Sequence, residues 1–78
     1  MEGVMPKGWV VEAITRQAGS TLIMHERYAV AIADAYAARA AVEQRANGVF
    51  DVRIEMRDPL SRKAVRALGL IPGEVRRQ

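Results

Sequence analysis

The stretch RYAVAIADAYAARAAVEQRANG, Arg27 to Gly48, changes its period part-way along, and the fold turns on where the change falls. Before Asp34, and back through TLIMHE, the apolar residues Leu22, Met24, Tyr28, Val30 and Ile32 sit at alternate positions. That is the spacing of a strand. After Asp34 the pattern becomes helical: Ala35, Ala38, Ala41, Val42 and Ala46 lie near one face, while Arg39, Glu43, Gln44 and Asn47 are polar. Asp34 suits an N-cap, because its carboxylate can accept orphan backbone N–H groups. Asn47-Gly48 supplies a stop, glycine tolerating the left-handed conformation that ends many helices. The stretch is therefore a junction, with a strand over 21–32 and a helix over 35–47. A membrane span is excluded, since the longest weakly polar run, Arg27 to Arg39, contains Asp34 and falls far short of the ~20 apolar residues required.

Flanking segments follow the same logic. GWVVEAITR is rich in β-branched and aromatic residues and reads as a first strand, with a turn at QAGS. After Gly48, Phe50, Val52, Ile54 and Met56 alternate with Asp51, Arg53, Glu55 and Arg57, which predicts a strand with one buried and one wet face. Asp58-Pro59 is expected to end it, proline having no N–H for a ladder. In the tail, Ser61 is a natural N-cap, Leu60 can staple to Val65, and Gly69 stands where a left-handed C′ residue belongs. That predicts a short helix over 62–68.

The elements add up to an α+β fold. Its ββαβ core is a three-stranded sheet with one helix on a face, followed by the short C-terminal helix and a mobile tail. Residues 1–71 form the single domain and 72–78 the flexible basic tail. Closing the hairpin over Gln17 to Ser20 pairs Thr15 with Leu22, Ala13 with Met24, Val11 with Glu26 and Trp9 with Tyr28. Glu26 is the misfit on that face, so HER is the expected place for a bulge, a bend or an exposed edge.

Seventy-eight residues make a marginal core. With no cysteine there is neither a disulfide nor a thiolate metal site to reinforce it. The helix offers mostly methyl groups, and the second strand is read as longer than its neighbours, with unpaired edge groups. Trp9, Val10, Ile14, Ile23 and Tyr28 are the candidate interface residues of a homodimer, formed either with or without exchange of a hairpin or helix between copies.

Charge is unevenly placed: residues 1–52 carry five basic and six acidic groups, and residues 53–78 seven and three. Ten arginines against two lysines, beside thirteen alanines, fit the codon usage of a GC-rich bacterial genome. Ser61, Arg62, Lys63 and Arg66, with Arg76 and Arg77 nearby in sequence, are the candidate contacts for an anion or nucleic acid. His25 is the only histidine, and in the expected register it faces Glu12, with no nucleophile or third orienting group in view. Nothing has metal-ligand spacing. The expected role is a non-enzymatic protein-interaction module acting as a homodimer, without cofactor or metal, with nucleic-acid or anion binding as the alternative. The N-terminus has no secretory pattern, so the expected compartment is the cytoplasm.

Overall fold

The structure, a computed structural model, describes residues 6–16, 19, 21–45 and 51–78. Strand β1 (Gly8–Arg16) leads to β2 (Ile23–Val30), helix α1 (Ala35–Arg45), β3 (Asp51–Leu60), α2 (Arg62–Ala67) and β4 (Val75–Arg77). The strands form one four-stranded sheet in the order β3-β1-β2-β4, every neighbouring pair antiparallel. This is a small α+β fold with two helices among the described residues.

The junction at Asp34 forms as the residues predict. Asp34 Oδ1 accepts the Tyr36 N–H at 3.0 Å, and the Asp34 carbonyl accepts the first α-helical bond from Ala38 at 2.9 Å. Helix α1 then lays Ala38 and Val42, both fully buried, on Val11, Ala13, Tyr28, Val30 and Ile54. The expected stop at Asn47-Gly48, and Ala46 and Phe50 beside it, lie outside the described residues.

Helix α2 is also capped as expected. Ser61 Oγ accepts the Ala64 N–H at 3.1 Å. Gly69 takes φ 70°, its N–H reaching Arg66 O, while Leu70 N–H reaches Val65 O at 3.1 Å. This pair of hydrogen bonds closes the helix in a Schellman motif. Leu60, Leu70 and Val65 then pack with Val10, Ala29 and Ala31 in a second cluster on the sheet face opposite α1. So α1 covers one face, and α2 covers one end of the other.

Several details differ from the sequence reading. The sheet has four strands rather than three, because part of the segment from Pro72, expected as a mobile tail, pairs with β2 as β4. Its anchors are hydrogen bonds from Gly73 N to Ala31 O, from Ala31 N to Glu74 O and from Gln78 N to Arg27 O. β2, with eight residues, is shorter than β1 with nine and β3 with ten, so the supposed overhang of β2 does not exist. The hairpin register is displaced by two residues: Trp9 lies opposite Val30, Val11 opposite Tyr28 and Ala13 opposite Glu26. A two-residue slip preserves which face each side chain takes, so the core face is the expected one while the Trp9–Tyr28 pair is absent. β3 runs on through Asp58 and Pro59 to Leu60, which is tolerated because β3 is an edge strand. Of the alternatives expected at HER the exposed edge is the one that forms, since β4 pairs with β2 only from Tyr28 to Val30, while the bulge lies between β1 and β3, where Val11 faces Met56 and Val10 faces Asp58, leaving Arg57 as the extra residue. Among the described residues no helix is long and apolar enough to cross a membrane.

Candidate functional site

The sheet face opposite α1 carries most of the polar chemistry. Three neighbouring positions on β3, β1 and β2 form each row across it: Asp51, Arg16 and Ile23; Arg53, Ile14 and His25; Glu55, Glu12 and Arg27. Glu12 sits on the central strand and is only 4% exposed, although among the described residues no helix lies over it. The long side chains of the flanking strands roof it. His25 Nδ1 lies 2.7 Å from Glu12 Oε2 and, facing a carboxylate, must donate. The register places Arg27, not His25, directly across from Glu12, so this contact is diagonal. On the other side Arg57, re-aimed by the bulge, donates its Nε–H to Glu12 Oε1 at 2.5 Å and also reaches Glu55 at 3.1 Å. Glu12 and Glu55 are directly opposed across β1 and β3, and the Arg57 guanidinium between them relieves that repulsion.

The hydrogen bond from His25, and then that from Arg57, hold the Glu12 carboxyl below the usual carboxylate range, outweighing the burial that opposes them. The same pairing with Glu12 raises Arg57. Both oxygens of Glu12 are therefore engaged, and the carboxylate reaches no described hydroxyl that a base could activate. Among the described residues no three His, Asp or Glu side chains gather to hold a metal ion. The arrangement locks three strands together on the part of this face that α2 does not cover.

Glu26, the expected misfit, is half-buried and accepts from the Tyr28 hydroxyl at 3.1 Å, with Arg77 3.5 Å from its other oxygen. Burial first, and this neighbouring carboxylate second, push the Tyr28 hydroxyl up.

The candidate anion contacts divide into three places. Arg62, Lys63 and Arg66 stand exposed on α2, while Ser61 spends its oxygen on the helix cap. Arg76 folds back on the chain, donating to the carbonyls of Leu68 and Gly69 behind α2 and pairing with Glu74 at 2.8 Å. Glu74 in turn accepts the Ile71 N–H, and that bond first, then Arg76, lowers its carboxyl. Arg77 lies with Tyr28 and Glu26, away from α2. The candidate interface residues are divided too. Trp9 and Tyr28 pack in the α1-side core, with Trp9 Nε1 donating to Ala33 O at 2.9 Å, and Val10 packs with the α2 cluster. Ile14 and Ile23 come together on the face opposite α1, lining a shallow cleft with Arg16, Asp51 and Arg53.

Sequence reasoning misses Arg57 as a partner of Glu12, although the alternation of β3 places it on this face. Comparison of the chain with protein-family models, with curated proteins and with solved structures finds no match, so the geometry alone bears on function.

Proposed function

We propose that this chain is a non-enzymatic interaction module that works as a homodimer. The observation that carries the reading is the pair of unclosed sheet edges. Among the described residues nothing pairs with the outer side of β3, and β4 covers β2 only from Tyr28 to Val30. Open edges are templates for another strand.

Static light scattering over a micromolar concentration series tests the reading. The expected mass is twice 8.6 kDa. A monomer mass at every concentration refutes it.

A second reading, anion or nucleic-acid binding, is favoured by one observation. Arg62, Lys63 and Arg66 are exposed on α2 and make no ion pair among the described residues. Such binding is dominated by phosphate contacts and weakens steeply with salt. A fluorescence titration with mixed-sequence RNA and DNA at two ionic strengths checks it; affinity unchanged in the triple alanine variant of these residues rules it out.

A further inference from the structure

We infer that the homodimer forms by antiparallel pairing of β3 with β3 of a second copy, about a twofold axis at Ile54. This rests on the homodimer reading and specifies its interface.

The outward main-chain groups of β3 follow from hydrogen bonds elsewhere in the sheet. Gln78 N–H donates to Arg27 O and Gly73 N–H to Ala31 O, so the odd residues of β2 turn their main-chain groups toward β4. Their partners across β1, Glu12 for Arg27 and Val10 for Ala29, therefore turn away from β2 and toward β3. Glu12, Ile14 and Arg16 then bond Glu55, Arg53 and Asp51. By alternation, Val52, Ile54 and Met56 direct their N–H and C=O groups outward. Two copies centred on Ile54 place Ile54 against Ile54 and Val52 against Met56, and all of these are outward residues able to exchange both bonds.

The side chains favour this centre over the registers one step to either side. On the outer face β3 carries Asp51, Arg53, Glu55 and Arg57, a series whose charges are antisymmetric about Ile54. The Ile54-centred register sets Arg53 of each copy against Glu55 of the other, and Asp51 against Arg57. Centring on Arg53 would oppose Arg53 to itself and Asp51 to Glu55, and centring on Glu55 would oppose Glu55 to itself and Arg53 to Arg57. Like charges directly opposed destabilise a sheet, so one register is favoured over its neighbours.

Arg53 is the informative member, exposed and without an ion-pair partner among the described residues. Glu55 already holds Arg57 through one oxygen and has the other available. The bulge at Arg57 and the ring of Pro59 end the regular ladder and so limit its length. Helix α1 packs across β1 and β3. The twofold axis therefore brings two α1 helices antiparallel on one face at about two strand spacings, about 10 Å, which is ordinary helix packing distance.

Complementary charge reversal tests the interface. Arg53→Glu sets a new carboxylate against Glu55 of the other copy, and Glu55→Arg sets a new guanidinium against Arg53. Each variant alone should therefore dissociate about tenfold or more readily than the wild type. Mixed in equal amounts they should recover a heterodimer, because both cross pairs become attractive again. If Glu55→Arg does not fold, Arg53→Glu carries the test alone, since Arg53 makes no ion pair inside its own chain among the described residues. Variants that stay dimeric with wild-type affinity overturn the β3 interface while leaving the homodimer reading intact. A monomeric wild type overturns both.

Discussion

Val42→Ala probes how a helix made mostly of alanine stays attached to its sheet. Val42 is fully buried, and only Ala38 accompanies it as a buried residue of α1. Removing two methyl groups forfeits about 1.6 kcal/mol of burial at ~0.8 kcal/mol per carbon. Incomplete collapse of the site adds up to about 1 kcal/mol. Alanine is the better helix former and returns about 0.5 kcal/mol. The net loss is about 1–2 kcal/mol, or a fall in Tm of about 4–16 °C for a chain of this size. Urea denaturation at one fixed protein concentration measures it, because association shifts apparent stability by mass action. Tyr36→Ala, on the same helix at 85% exposure, is the control and should change stability by less than about 0.5 kcal/mol. If Val42→Ala is neutral or stabilising, helix propensity outweighs packing and α1 is not held by its buried face.

Local geometry supports three more predictions. Asp34→Ala removes the α1 cap and should cost about 0.5–2 kcal/mol in chemical denaturation, whereas an unchanged midpoint places the helix start elsewhere. A Cβ on Gly8 would lie 2.3 Å from the carbonyl oxygen of Val30, so Gly8→Ala should destabilise by about 1–3 kcal/mol through a forced backbone shift; wild-type stability would show that the strands can part there. Glu12 and Glu74 have lowered folded-state pKa values, so the stability they contribute is present above the ordinary carboxylate range and lost as pH falls through those values. Denaturation midpoints measured from neutral to acid pH should therefore decline, and Glu12→Gln should flatten that decline; an identical acid limb in the variant contradicts the assignment.

What is legible in the sequence is whatever rests on local periodicity and capping. The switch at Asp34, the cap at Ser61, the Schellman closure at Gly69 and the two faces of β3 all depend on residues within a few positions of each other. Features that depend on distant pairing are not legible. β4 is three residues, Val75–Arg77, with no alternation to detect, and it forms because the turn through Gly73 and Glu74 presents it to β2. Pro59 looks like a strand end because nothing local marks β3 as an edge. The two-residue slip of the hairpin moves Glu12 from opposite His25 to a diagonal contact, yet the pair still forms because both side chains keep to one face. Arg57 completes that cluster through a bulge, which no run of residues announces. The basic positions near the C-terminus look like one patch in sequence, but Arg76 is drawn into the α2 carbonyls and Arg77 toward Glu26.

Amide hydrogen exchange along β3 reports directly on self-association through this edge. The amides of Arg53 and Glu55 face β1 and should be protected at any concentration. Those of Val52, Ile54 and Met56 face outward and should be protected only when a second copy is paired there. Pairing through β3 predicts slow exchange at these three positions at high protein concentration, becoming faster on dilution while Arg53 and Glu55 stay slow. Fast exchange at Val52, Ile54 and Met56 at every concentration, beside a protected Arg53 and Glu55, would contradict it.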